Sequence, residues 1–163
     1  KWRIKINVNK CSVALFSKRL THLCSEVPPL KIFGATIPRV NEVKYLGVIL
    51  DRKLAYRSHI SKAVCRANHR LRQLYPILTK SSSININLAL KIYKTLLRPI
   101  ITYAAPAWGY AAKTHISKLQ VFQNKVLRII TKLPWVTAIE ILHEKIGIAT
   151  FRYHVRKIAN KFY

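Results

Sequence analysis

Carboxylates come first, because two-metal phosphoryl transfer and general acid–base hydrolysis both depend on them. The 163-residue chain has five, Glu26, Glu42, Asp51, Glu140 and Glu144, and no two are spaced in sequence to present a joint metal site. A self-contained nuclease or polymerase centre does not fit that set, so no catalytic residue and no metal ligand is assigned. The six histidines, His22, His59, His69, His115, His143 and His154, show no H-x-x-x-H or H-E-x-x-H arrangement. Each reads as a surface or helix-face residue rather than a general base or ligand. Cys11, Cys24 and Cys65 lack C-x-x-C spacing and read as free thiols in a reducing compartment, with neither zinc nor a disulfide framework. Four glycines spread from Gly34 to Gly147 make no phosphate loop.

What the residue types do offer is binding. Thirty Lys and Arg stand against five Asp and Glu, a formal charge of +25. Half of the residues are hydrophobic and 10% aromatic, enough to bury a core and unlike a disordered basic tail. A folded polycation calls for a polyanionic partner, held by contacts that release counterions and weaken with salt. A lipid surface is the lesser alternative, because the helices are patterned for a globular core. The most apolar stretch, 92–112, is broken by Lys94, Arg98, Pro99 and Pro106, so no membrane span is expected. The opening Lys1-Trp2-Arg3-Ile4 has no signal-peptide or transit pattern and the chain has no methionine; it reads as an internal piece of a longer protein.

The elements that must position these cations change character along the chain. Trp2, Ile4, Ile6 and Val8 alternate with polar residues, predicting a strand, a turn at Asn7 to Lys10, and a buried return strand over Val13 to Phe16. Short β-like runs follow at Leu30 to Phe33, Ala35 to Ile37 and Val43 to Leu50. Helical periodicity begins near residue 57. Ile60, Val64, Ala67, Leu71, Leu74 and Leu78 form one stripe, opposed by Lys62, Arg66, His69 and Arg70. Ser81 to Ser83 predict the start of a second helix, with a break or kink at Pro99. Lys91, Lys94 and Arg98 share one of its faces. Thr114 is the expected cap of a third helix with an inner stripe of Ile116, Leu119, Phe122, Gln123, Val126, Leu127 and Ile130, and Lys118, Lys125, Arg128 and Lys132 lie on its other side. Thr137 and Glu140 read as a capping box, Gly147 as a helix stop, and Phe151, Val155, Ile158 and Phe162 as a last amphipathic face. Trp108 and Trp135 read first as core aromatics. Gln123 and Asn124 fit either phosphate contacts or polar contacts at the edge of a core. The fold class is α+β, with short N-terminal strands before a mainly helical domain.

Several stretches carry more than composition. Val43 to Leu54, V-K-Y-L-G-V-I-L-D-R-K-L, followed by His59-Ile60, resembles a stretch of the reverse transcriptases of non-LTR retrotransposons of the insect jockey-like kind. Tyr93 to Pro99, Tyr103 to Gly109 and Leu119 to Arg128 are similar to that family's Y-K-x-x-L-R-P, tyrosine…W-G and L-Q-x-x-Q-N-K-x-L-R signatures, in the same order. The opening, Trp2 to Lys10, is similar to the strand and turn after the family's catalytic Y-x-D-D hairpin. The resemblance covers nearly the whole chain.

It implies that residues 1–55 end a polymerase palm and that 56–163 form a helical thumb and C-terminal extension. Tyr45, Leu46 and Gly47 match the primer-grip hairpin, with a packed strand as the alternative. Lys10 matches a lysine near the incoming nucleotide, with a solvated turn lysine as the alternative. Lys62, Arg66, Arg70, Lys118, Lys125, Arg128 and Lys132 would hold a template–primer duplex of RNA and DNA. The catalytic aspartates have no counterpart in the chain, and Asp51 is not one of them, so the piece is expected to be inactive alone and to hold no cofactor. The parent polymerase would use Mg2+, supplied through its upstream palm and fingers. The expected setting is intracellular, nuclear with a cytoplasmic ribonucleoprotein stage. A non-catalytic basic RNA- or DNA-binding module from a degenerate element is the alternative. The palm strands, lacking partners, are expected to be poorly stable on their own.

Overall fold

The computed structural model describes residues 6–17, 28–79 and 83–162. The fold is α+β, in two compact units, Lys1–Tyr56 and Arg57–Tyr163.

The first unit is built from two-stranded pairings. β1 (Val13–Ala14) runs parallel to β4 (Arg39–Val40), β2 (Lys31–Ile32) pairs antiparallel with β3 (Ala35–Thr36), and β5 (Glu42–Tyr45) pairs antiparallel with β6 (Val48–Asp51). The expected turn is present as a 3₁₀ turn over Val8–Lys10, opened by Asn7, whose Oδ1 accepts the Asn9 N–H at 3.1 Å. Trp2 and Ile4 lie outside the described residues; Val8 belongs to the turn rather than to a strand. The return strand is shorter than expected, ending at Ala14, and it is not buried: Leu15 and Phe16 are exposed. The single run expected over Val43 to Leu50 is instead a hairpin folding at Leu46-Gly47. Period-2 alternation cannot distinguish one long strand from two short ones, and a left-handed pair of residues breaks it here. Among the described residues of this unit only Ile37, Val48 and Ile49 are buried apolar side chains. That is a small core for so many two-stranded pieces, which are marginal in water individually.

The second unit holds the main core. α1 (Arg57–Leu78) packs most extensively on α5 (Lys113–Thr131). α1 buries His59, Ile60, Ala63, Ala67, Leu71 and Leu78, whereas Val64 and Leu74 are half-buried flanks of the stripe. α2 (Ile86–Ile92) starts at Asn85, whose side chain caps Asn87 N at 2.9 Å, two residues beyond the serine run, of which Ser81 and Ser82 lie outside the described residues. Pro99 does not end the helical path. A π-helical turn over Tyr93–Leu97, with Arg98 N–H donating to Tyr93 O, leads directly into α3 (Arg98–Thr102). Proline has no N–H for the carbonyl four residues back and its ring crowds that carbonyl; a wider turn accommodates it.

α4 (Ala105–Trp108) lies against α7 (Phe151–Phe162). Gly109 makes that approach possible, because a Cβ there would stand 2.7 Å from Ala105 O and 3.0 Å from Val155 Cγ1. Trp108, 1% exposed, donates Nε1–H to Tyr103 O at 2.7 Å and faces the buried His59 ring at 6.1 Å. α5 buries its whole expected stripe, together with Asn124, but Thr114 is not its cap; the helix starts at Lys113 with no side-chain cap bond. α6 (Ile139–Ile146) likewise starts after Ala138, so Thr137 and Glu140 form no capping box, while Gly147 ends it at φ +64° as expected. On α7, Phe151, Val155 and Ala159 are buried, Ile158 is half-buried and Phe162 is exposed. Among the described residues no helix is long and apolar enough to cross a membrane.

Candidate nucleic-acid interface

Tyr45, Leu46 and Gly47 form the tip of the β5–β6 hairpin. Tyr45 opposes Val48 in register, leaving a two-residue turn in which Leu46 has φ +45° and Gly47 φ +81°. Positive φ at both central residues gives the turn whose twist matches paired strands, at a cost for leucine that asparagine or glycine would not carry. Tyr45 is 65% and Leu46 75% exposed, so the packed-strand alternative does not describe them. The same hairpin sets Glu42 opposite Asp51, a pairing that sequence spacing conceals. Asp51 Oδ1 accepts the N–H groups of Lys53 at 3.1 Å and Ala55 at 2.8 Å, tying the chain after the hairpin. Two carboxylates, one engaged by backbone, do not fit a two-magnesium centre. Among the described residues no group of three His, Cys, Asp or Glu side chains gathers around a common point.

No lysine or arginine is buried among the described residues. Lys10 is exposed at the end of the 3₁₀ turn. Lys62, Arg66 and Arg70 are exposed along one face of α1, Arg70 donating Nη1–H to Gln73 Oε1 at 2.9 Å. Lys118 and Lys125 are exposed on α5, and Lys132 is its left-handed C-cap. Arg128 is different. It is half-buried, donates Nη2–H to Thr137 O at 3.2 Å and stacks 4.6 Å over the Trp135 ring. Its place beside the inner stripe commits it to fixing the segment after α5. Trp135 in turn is no core residue: it is 72% exposed, with the Arg128 guanidinium over its ring.

Gln123 and Asn124 belong to the interior. Gln120, Gln123, Asn124 and His143 form a network that binds α5 to the α6–α7 connection. Gln120 Oε1 accepts Phe151 N–H at 2.7 Å, which fixes Gln120 Nε2 as a donor to Asn124 Oδ1 at 2.8 Å. Gln123 Nε2 donates to Ala149 O at 3.1 Å. His143 Nδ1 lies 2.7 Å from Ile148 O and its Nε2 3.0 Å from Asn124 Oδ1. His143 and His59 are therefore buried, against the surface placement expected of them. His59 titrates below the ordinary histidine range because burial, then the nearby Arg66, disfavours the cation. His154 is pushed down to about 4 by burial, then by Arg98 and Lys157. Burial pushes the Tyr93 phenol up to about 12.

Two features escape a reading by helical faces. A cleft of about 310 Å³ between α1 and α5 is lined by Asn68, Leu71, Arg72, Tyr75 and Lys125. A second, of about 270 Å³, brings Arg152 and Arg156 of α7 near Tyr110 and Lys113. Both lie at the flanks of helices, where a residue is neither inner stripe nor outer face until its neighbour is known.

No protein-family model and no solved structure matches the chain. Curated proteins do. The chain is 33% identical over its full length to a probable RNA-directed DNA polymerase from transposon X-element of Drosophila melanogaster, covering 18% of that protein. It is 31% identical, again over its full length, to the RNA-directed DNA polymerase from mobile element jockey of Drosophila funebris, covering 17% of it. It is 26% identical over 99% of its length to a probable RNA-directed DNA polymerase from transposon BS of Drosophila melanogaster, covering 18%. The chain thus spans less than a fifth of the length of these relatives. From its first residues to its last, the chain is similar to one segment of the RNA-directed DNA polymerases of mobile element jockey and of other transposons.

Proposed function

We propose that the chain is the end of the palm and the thumb of a non-LTR retrotransposon reverse transcriptase, and that its task is to hold a template–primer duplex. The observation that carries this reading is the alignment of the whole chain with such polymerases, joined to exposed cations on successive helices. Lys62, Arg66 and Arg70 on α1, with Lys118, Lys125 and Lys132 on and after α5, neutralise backbone phosphates. The Tyr45-Leu46-Gly47 tip meets the primer end, where Gly47 keeps the turn narrow and Tyr45 offers a flat ring to a sugar or base. Arg128 is withdrawn from this set, since its guanidinium serves Thr137 and Trp135.

The parent reaction in this reading is template-directed nucleotide addition with Mg2+ held by aspartates upstream of the segment, in a nuclear setting with a cytoplasmic ribonucleoprotein stage. The chain's own residues bind and orient the duplex. The test is retention of a labelled RNA–DNA primer–template by the purified chain. Binding that falls steeply as salt rises, and that charge reversal at Lys118, Lys125 and Lys132 together weakens, supports the reading. Absent or salt-insensitive binding overturns it.

A further inference from the structure

The cleft between α1 and α5 has a mixed chemistry that duplex holding does not require. Asn68, Leu71, Arg72 and Tyr75 recur at the i, i+3, i+4, i+7 spacing of one helix flank, and Lys125 faces them from α5. Leu71, 3% exposed, forms an apolar floor, while Tyr75, 51% exposed, supplies an aromatic wall. Arg72 and Lys125 are exposed cations at the rim. Asn68 Nδ2 donates to Val64 O at 3.0 Å, which leaves its Oδ1 to a ligand. Pro76 has no N–H, so the Arg72 carbonyl lacks the helical donor usual four residues on.

One aromatic wall, two cations and the Asn68 amide oxygen match the parts of a nucleotide: a base to stack, a phosphate to neutralise, and a base-edge donor to satisfy. At about 310 Å³ the cleft is near the lower end of small-ligand pockets, room for one nucleotide and too little for a base pair within a duplex. We propose that it receives a single unpaired nucleotide of the bound nucleic acid, its base against Tyr75 and its phosphate between Arg72 and Lys125. The proposal rests on the nucleic-acid-binding reading above and adds to it a site for an extrahelical base.

The test compares the full chain's affinity for a fully paired RNA–DNA hybrid and for the same hybrid with one bulged 2-aminopurine. The wild type should favour the bulged hybrid by about tenfold, within the range that stacking one base on an aromatic side chain supplies. Binding should also quench the 2-aminopurine. Tyr75→Ala should abolish both the preference and the quenching, and Tyr75→Phe should keep them. Tyr75 is half exposed, so the truncation leaves the core intact, which a thermal melt verifies. Equal affinity for the two hybrids, or a preference that survives Tyr75→Ala, overturns the cleft assignment while the duplex-holding reading stands. Failure of the wild type to bind either hybrid overturns both.

Discussion

Replacing Lys62, Arg66 and Arg70 together with glutamine strips the charge from one face of α1 without touching its buried side. From Lys62 to Arg70 the helix rises about 12 Å at about 1.5 Å per residue. That length covers about three phosphates of one strand at about 3.4 Å of rise each. If each cation neutralises one phosphate, the slope of log affinity against log salt flattens by about 0.9 per contact, about 2.7 in all on a B-form duplex. The same relation sets the loss near about 0.1 M monovalent salt at two to three decades, an upper bound because Arg70 also serves Gln73. Fluorescence anisotropy of a labelled primer–template, titrated at several salt concentrations, reads both quantities. Circular dichroism checks that the helix persists. A slope that moves by less than about half a unit would show that this face does not lie on the backbone, whatever happens to affinity at one salt concentration.

Three further predictions concern the fold that presents these groups. Leu46→Asn should stabilise the β5–β6 hairpin by about 0.5–1 kcal/mol, because asparagine tolerates the φ of +45° better than leucine; slower amide exchange across the Tyr45–Val48 pair is the readout, and unchanged exchange argues that the turn carries no strain. Asn124→Leu should cost about 1–3 kcal/mol in a urea titration, since it removes the Oδ1 that accepts from Gln120 and faces His143 inside the second unit; a variant as stable as the wild type would show that the network contributes no net stability. His154 binds its proton at about 4 in the fold and near 6.5 when unfolded, so the unfolded chain holds more protons between those values and stability must rise with pH across that window. After discounting for the half-buried ring's exposure, the expected loss on acidification from neutral pH to about 4 is about 1–2 kcal/mol, with His59 acting in the same direction; His154→Gln should flatten the profile, and a pH-independent urea midpoint in the wild type would refute the assignment.

The signature stretches divide in a way the sequence did not disclose. Those of the second unit contribute key packing residues: Tyr93 and Leu97 are buried at the π turn, Trp108 and Gly109 bring α4 against α7, Gln123 ties α5 to the connection before α7, and Asn124 ties it to His143 of α6. The Tyr45-Leu46-Gly47 stretch is instead displayed at a hairpin tip, and single residues of the others, such as Lys10 and Lys125, are also exposed. A motif reports that residues occur together, and a side chain locked in a core leaves the same trace as one that meets a ligand.

By itself, the sequence determined the polycationic character, the α+β order, the inner stripe of α5 and the outward placement of Lys62, Arg66, Arg70, Lys118 and Lys125, because helical periodicity and charge are local properties. Tertiary structure alone decided the rest. It turned Val43 to Leu50 back on itself, buried His59 against Trp108 and His143 against Asn124, left Trp135 outside beneath Arg128, and assembled Tyr75, Arg72 and Lys125 around one cleft. Each of those outcomes depends on which element arrives from a distant part of the chain. For a residue on the flank of a helix, that neighbour settles whether it packs, pairs or waits for a ligand.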